Sequence, residues 1–232
     1  GCPHRASFWA IKTAIQLDGR KGFLCGDVGC YSLGFSGPGF YQARTMHAMG
    51  SATGLACGLG NLRQFGFDQP VLAMCGDSTF YHAVMPALVN GVYNKANFTL
   101  VVVDNSATAM TGFQPHPGTG KLATGEPAPT VDIEEVCKAF GAVVEVCDPF
   151  DLDKTVQILL NMMKSESGTK VIVMKHMCQL VRARQNIPNT YQMRVNPDRC
   201  LSHECGCNNL CTRLFGCPGL ILDSENNKAI ID

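Results

Sequence analysis

The sequence predicts an α/β fold, a parallel sheet with helices on both faces, followed by a small cysteine-rich, ferredoxin-like segment. Three observations carry that expectation. Short apolar runs that break into polar turns alternate with stretches of helical apolar spacing, the pattern of strand–helix–strand units with right-handed crossovers. Two runs, Val71 to Cys75 and, but for Thr99, Phe98 to Val103, are apolar, as strands buried on both faces are. Cysteines crowd into the last part of the chain, beyond the alternation. At 232 residues the chain is long enough for one α/β domain and a small appendage. We expect a sheet domain over residues 1–180, a linker over 181–198 and the cysteine-rich segment over 199–232.

Taken in order, Ala6 to Leu17 has helical spacing and stops at Asp18-Gly19. Phe23 to Cys25 is a short strand that breaks at Gly26-Asp27-Val28-Gly29-Cys30, a glycine-rich strand end. Ser36 to Arg44 reads as a loop of glycine, proline and aromatics. Met46 to Phe65 is rich in Ala and Gly, so a helix there lies close to the sheet. The strand Val71 to Cys75 ends at Gly76-Asp77-Ser78-Thr79 and is followed by helical spacing from Tyr81 to Tyr93; the strand Phe98 to Val103 ends at Asp104-Asn105. Thr119 to Thr130 is a loop and Val131 to Phe140 a helix with an acidic first turn. Val143 to Cys147, Asp151 to Lys164 and Lys170 to Met174 then read as strand, helix and strand. Gln179 to Pro197 is polar and basic without periodicity, a linker, and Gly219 to Asp223 with Lys228 to Asp232 suits a small hairpin.

In parallel α/β folds ligands sit beyond the carboxyl ends of neighbouring strands, so the turns at Gly76 and Asn105 should face one crevice. The first offers a glycine, the hydroxyls of Ser78 and Thr79 and the amides of a helix N-terminus, which suit a phosphate. Asp77 and Asn105 add hard oxygen ligands. Mg²⁺ needs only a few of these, with a nearby carbonyl such as that of Ala107, because phosphate and water complete its octahedron. Gly29, at the earlier strand end, is placed to approach the same ligand. Read separately, Asp77 and Ser78 would merely cap a helix and Asp104-Asn105 would be an ordinary turn.

Together, Gly76-Asp77-Ser78 and an Asn105 twenty-eight positions after Asp77 resemble the thiamine diphosphate (TPP) motif, a Gly-Asp-Gly followed at a fixed gap by Asn. Ser78 departs from the usual third glycine. The wider wording, GCPHR, GDVGCYSLG, GDSTFYHA, PALVNGVYNKANFT and DNSATAMTGFQPHPG, is similar to the large subunits of indolepyruvate ferredoxin oxidoreductases, over nearly the whole chain. That resemblance implies TPP-dependent oxidative decarboxylation of an aryl 2-oxoacid to an acyl-coenzyme A, with electrons passed through 4Fe-4S clusters to ferredoxin. It also implies that Met49, Gly50, Thr111 and Gly112 lie beside the cofactor. A pyrimidine-binding domain, on the same polypeptide or on another subunit, is required to complete the cofactor site, so a hetero-oligomer is expected. His82, one helical turn past the phosphate loop, is the candidate acid or base, and His47 and His116 lie in neighbouring turns.

The chain holds 13 cysteines, and without an export signal these read as reduced thiols and metal ligands rather than disulfides. Cys200, Cys205, Cys207, Cys211 and Cys217, the last followed by Pro218, resemble a ferredoxin cluster motif, although the gaps of four, one, three and five residues are irregular. Zinc is the competing occupant of such a thiolate set. Five thiols exceed four cubane positions, and which of Cys200, Cys205 and Cys207 is a bystander stays open. In related 2-oxoacid oxidoreductases a cluster near TPP is held by a CxxC pair and two further cysteines; Cys2, Cys30 and Cys178 match three of these, with the first expected upstream of Gly1. Cys25, Cys57, Cys75, Cys137 and Cys147 sit in apolar patterns and read as small core residues. The start at Gly1 inside a longer motif and a ferredoxin segment cut short point to an excerpt or processed chain.

With 19 basic and 19 acidic residues the formal charge is zero, and no basic tract appears, which argues against nucleic acid. No apolar run is long enough to cross a bilayer. A cytoplasmic protein is the expectation. Two rival functions remain at this stage: a non-oxidative TPP decarboxylase with a structural zinc site, and a non-catalytic electron-transfer subunit.

Overall fold

The computed structural model describes residues 1–166, 168–188, 193–207, 209–213 and 219–231, with only the backbone of residues 203 and 205. The chain divides into two compact units, Cys2–Arg182 and Ala183–Asp232.

The larger unit is built on a six-stranded, all-parallel sheet of β1 (Phe23–Cys25), β2 (Ala43–Thr45), β3 (Val71–Gly76), β4 (Phe98–Asp104), β5 (Val143–Cys147) and β6 (Thr169–Lys175), in the order β2-β1-β3-β4-β6-β5. β3 and β4 are buried along their whole length, which accounts for their uninterrupted apolar runs. Alternation sends Ala73, Cys75, Leu100, Val102, Val171 and Val173 to one face and Leu72, Met74, Val101, Val103, Ile172 and Met174 to the other. The first face is covered by α2 (Ser51–Gly60), α4 (Met85–Tyr93) and α5 (Ile133–Ala139), the second by α1 (Pro3–Asp18) and α6 (Leu152–Lys164). Small residues set the spacing of the first layer. A Cβ at Gly91 of α4 would come 2.8 Å from the Phe98 ring, so this helix reaches β4 only because the position is glycine.

α1 begins three residues earlier than its spacing suggests. Pro3 sits in its first turn, where no N–H is needed, and Gly19 ends it at a φ of 78°. Ser36 to Arg44, expected to be a loop, follows a 3-10 turn over Cys30–Phe35 and itself contains a second one, Gly37–Gly39, and the beginning of β2. A three-residue edge strand is too short to show a period of two. The helix after β3 starts at once as α3 (Asp77–Thr79), widens into a π segment over Phe80–Val84 and continues as α4. Pro86 explains the widening, because it has no N–H and its ring crowds the carbonyl four residues back. The stretch expected to be an aperiodic linker begins with a helix, α7 (Gln179–Arg184).

In the smaller unit a 3-10 turn (Ser202–Cys205) and α8 (Leu210–Arg213) precede an antiparallel hairpin of β7 (Leu220–Asp223) and β8 (Lys228–Ile231), in register Leu220 to Ile231 and Asp223 to Lys228. Asp223 accepts the Glu225 N–H at 3.0 Å, so the turn is held by its own first residue. No helix among the described residues is long and apolar enough to cross a membrane.

Candidate cofactor site at the carboxyl ends of the strands

The turns after β1, β3 and β4 open into one cleft of ≈ 120 Å³. Its floor is the pair expected from the sequence. Asp77, 3% exposed, follows β3, and Asn105, 4% exposed, follows β4. One backbone amide ties them together: the Ala107 N–H is 3.2 Å from both Asp77 Oδ2 and Asn105 Oδ1. Asp77 Oδ1 accepts the Ser78 N–H at 2.8 Å. The chain reaches this geometry through Ser106, a non-glycine residue at a φ of 61°, whose N–H is accepted by Asp104 Oδ1 at 2.9 Å.

Electrostatics favour an ionised Asp77. Burial works to raise its pKa, but His116, the Ser78 N–H and a hydrogen bond with Asp104 outweigh that, and the carboxyl sits below its ordinary value. Asp104 takes the opposite share: burial and the Asp77 charge push it up to about 6. A buried, ionised carboxylate beside an amide oxygen is the donor set a Mg²⁺ ion takes, so these residues fit a cation on a diphosphate. Ser78 and Thr79 are buried in the same wall. The Ser78 hydroxyl accepts from Thr108 Oγ at 2.9 Å, so the serine that replaces the motif's third glycine links the two turns.

Gly29 and Gly76 line the cleft, yet the structure gives their lack of a side chain a different cause from the one expected. A Cβ at Gly29 or at Gly76 would come 2.4 or 2.6 Å from the ring of Tyr31. Both glycines make room for that buried tyrosine, whose hydroxyl lies 2.6 Å from Thr79 Oγ1 and donates to the Val28 carbonyl at 2.7 Å. Met49 and Thr111 also line the cleft. Gly50 stands just outside, with a φ of 86° and its N–H on the buried Asp27 carboxylate at 2.8 Å, so Asp27 fixes the turn that presents Met49. Gly112, at a φ of 120°, serves the turn behind Thr111.

The histidines separate. His82 is exposed and lies outside the cleft lining, while His116 is buried against Asp77 and His4 is buried in the cleft wall. Burial lowers the His4 pKa below its ordinary value, and among the described residues its Nε2 has no hydrogen-bond partner. His4, Tyr31 and Asp27 were not singled out from the sequence as site residues. Proximity of Cys2-Pro3-His4 to a strand end was the available signal.

Cys30 lines the cleft, and the Cys178 N–H donates to the Asn105 carbonyl at 3.0 Å. Burial pushes the Cys30 thiol up, and the neighbouring charges of Cys2 and Cys178 add to the rise. The three cysteines are therefore electrostatic neighbours at the cofactor end of the sheet. Among the described residues no three His, Cys, Asp or Glu side chains stand together as a metal-binding group. In the smaller unit Cys200 Sγ accepts the Ala229 N–H at 3.4 Å, and Cys207 Sγ lies 3.5 Å from the Ser202 carbonyl; Cys211 is half-buried on α8. Cys217 and the side chain of Cys205 lie outside the described residues. Cys25, Cys57, Cys75, Cys137 and Cys147 are buried in the core.

Residues 27–174 match the family described as thiamine pyrophosphate enzyme, C-terminal TPP binding domain. Over its full length the chain is 38% identical to the indolepyruvate oxidoreductase subunit IorA of Archaeoglobus fulgidus and 39% identical to that of Pyrococcus abyssi, spanning 35% and 36% of those subunits. The chain thus covers about a third of the length of the curated relatives it matches. Among solved structures it resembles the 2-oxoglutarate:ferredoxin oxidoreductase from Magnetococcus marinus, with a TM-score of 0.66 and 19% identity over 83% of this chain and 71% of that one. It also resembles benzoylformate decarboxylase from Polynucleobacter necessarius, with a TM-score of 0.51 and 21% identity over 71% and 32%. At those identities the two structures speak for the fold.

Proposed function

Since the chain belongs to the family of thiamine pyrophosphate enzymes, in their C-terminal TPP-binding domain, we propose that it is the diphosphate-binding part of a 2-oxoacid:ferredoxin oxidoreductase of the indolepyruvate type. The observation that carries this reading is the amide of Ala107 bridging Asp77 and Asn105 at the ends of two adjacent strands. When bound, TPP supplies the carbanion that allows a 2-oxoacid to lose carbon dioxide. Asp77, Asn105 and the Ala107 carbonyl would hold the Mg²⁺ that accompanies the cofactor, and the Ser78 and Thr79 turn at the start of a long helical run would hold its phosphates. Tyr31 and the loop through Thr111 line the sides of the cleft.

The substrate is an aryl 2-oxoacid and the acyl acceptor coenzyme A. Cys2, Cys30 and Cys178 would hold one 4Fe-4S cluster and the tail cysteines Cys200, Cys205, Cys207, Cys211 and Cys217 a second; when bound, such clusters would supply one-electron carriers toward a ferredoxin-type acceptor. Support for the first cluster is that Cys30 lines the cleft with Cys2 and Cys178 as its electrostatic neighbours; support for the second is the cysteine pattern alone. A pyrimidine-binding domain or subunit completes the site, the assembly is a hetero-oligomer and the setting is the cytoplasm. The deciding experiment is anaerobic purification of the assembled enzyme with calorimetry of Mg²⁺ and TPP binding, metal analysis and paramagnetic resonance after reduction. Tight Mg²⁺-dependent TPP binding with several irons per chain is expected. Stoichiometric zinc without iron or signal overturns the oxidoreductase and leaves a decarboxylase.

A further inference from the structure

We infer that His116 is the positioning residue for Asp77: a buried imidazole, 3.1 Å from Oδ2, that fixes the carboxylate in the orientation in which it takes the cation. The inference rests on reading Asp77 as the cation ligand.

The ring is over-determined. Its side chain is 2% exposed. The Gly118 N–H donates to Nδ1 at 3.1 Å, which requires a lone pair on that nitrogen and places the ring proton on Nε2. Nε2 in turn lies 3.1 Å from Asp77 Oδ2, at an angle short of a good hydrogen bond. Tyr81 stacks on the imidazole with ring centroids 5.4 Å apart, and its hydroxyl is anchored on the Val131 carbonyl. Behind the ring the loop is closed by Thr119, whose N–H and hydroxyl both donate to the His116 carbonyl, at 2.9 and 2.8 Å. Gly118 must be glycine, since a Cβ there would come 2.5 Å from the Tyr81 hydroxyl.

The two oxygens of Asp77 are unequally held. Oδ1 has the adjacent Ser78 N–H, whereas Oδ2 has the Ala107 N–H, which it shares with Asn105, and His116. Without the imidazole, Oδ2 keeps only the amide it shares with Asn105, and the hydrogen bond with Asp104 becomes the one side-chain restraint left on the carboxylate among the described residues. A lysine or arginine in this place would hold the oxygen but set a fixed positive charge against the incoming cation. An N–H donor on a ring held in place by Gly118 and Tyr81 orients the ligand, the role partners of metal ligands play.

The test is Mg²⁺ titration of the assembled enzyme at saturating TPP, followed by calorimetry and, with Mn²⁺ in place of Mg²⁺, by the paramagnetic resonance line shape. His116→Phe keeps the stacking on Tyr81 and removes both ring nitrogens, the one facing Asp77 and the acceptor of the Gly118 N–H; it is expected to weaken the cation by about 10–100-fold and to broaden the Mn²⁺ spectrum. His116→Gln, whose amide nitrogen reaches the position of Nε2, is expected to recover most of the affinity and the line shape, and His116→Lys is not. Unchanged Mg²⁺ affinity in His116→Phe, or a Gln variant as weak as the Phe variant, overturns the positioning role while the cofactor reading stands. A wild-type assembly that binds no Mg²⁺ and TPP overturns the cofactor reading, and this role with it.

Discussion

The two ends of the central sheet bury polar groups in different ways. At the amino end Lys170 is 2% exposed, but its ammonium is met by the Asn97 side chain and by the Ser165 carbonyl at 3.0 Å, and the neighbouring Thr169 hydroxyl donates to the Ala96 carbonyl at 3.0 Å. The space left beside it is ≈ 40 Å³. At the carboxyl end Asp77, Asn105 and His4 line a cleft three times larger, His116 and Asp104 stand against Asp77, and His4 Nε2 is left without a partner among the described residues. Burial of an ionisable group therefore does not mark a site by itself. What marks it is an arrangement of groups that the protein leaves for something else to complete.

The largest expected effect tests that distinction directly. Asp77→Ala removes the only carboxylate proposed to bridge to the diphosphate, so Mg²⁺-dependent TPP affinity should fall by more than the roughly 100-fold typical of losing a mere partner of a ligand. Lys170→Met should leave that affinity unchanged. Calorimetry of the assembled enzyme reads both, and a Lys170 variant that loses cofactor while Asp77→Ala keeps it would invert the assignment of the two ends.

Much of this contrast was legible in the sequence. Val71 to Cys75 and Phe98 to Val103 announced central strands because no charged residue and only Thr99 among polar ones interrupts them, and the Asp77 to Asn105 gap placed the two candidate residues at adjacent strand ends. What escaped reading depends on long-range packing. Gly29 and Gly76 looked like room for a cofactor, and only the fold shows that Tyr31, remote from Gly76 in sequence, fills that room. His82 looked closer to the phosphate turn than His116, but the π segment leaves His82 exposed and the loop after Asn105 folds His116 back onto Asp77. β2 was hidden by its length, and α7 by a polar stretch without an apolar stripe.

The next effect sharpens the amino end. Burial lowers the Lys170 pKa to about 8, from an ordinary value of 10.5. Between those values the unfolded chain binds the extra proton, so this lysine makes stability rise with pH from about 8 to 10.5, by about 3 kcal/mol in all. Buried thiols act the other way: Cys25 is pushed up to about 11 and Cys137 to about 12, so they make stability fall above their ordinary value of 9.0. The difference between wild type and Lys170→Met isolates the lysine. Urea denaturation at pH 7.5 and 10.5 should show the wild type gaining on the variant by that amount; parallel curves would mean that Lys170 is not desolvated.

A smaller effect probes the cleft wall. Gly76→Ala drives a methyl into the Tyr31 ring, and overpacking of this kind costs about 1–3 kcal/mol. Pairing it with Tyr31→Leu should recover part of the loss, since the collision is with that ring. Gly76→Ala that melts like the wild type would show the tyrosine free to move aside.

The smallest expected effect separates structural acids from functional ones within the carboxyl end itself. Asp132 stands before α5 and its Oδ1 accepts the Glu135 N–H at 3.1 Å, satisfying one of the amides a helix leaves open at its start. The helix it begins places Ile133 and Cys137 in the core, so loosening its first turn is felt as stability. Glu134 and Glu135 remain in that turn and keep the favourable charge near the helix N-terminus, so only the hydrogen bond is lost. Asp132→Ala should therefore cost about 1 kcal/mol in denaturation and leave Mg²⁺ and TPP affinity at the wild-type value, while Asp132→Ser, another good cap, should lose less. Asp132 shares with Asp77 its charge, its end of the sheet and a backbone amide as partner; it differs in having that amide to itself and no second acid or histidine against it. Weakened cofactor binding in Asp132→Ala at unchanged stability would show that position at this end of the sheet, rather than crowding of unsatisfied groups, decides which acids serve the cofactor.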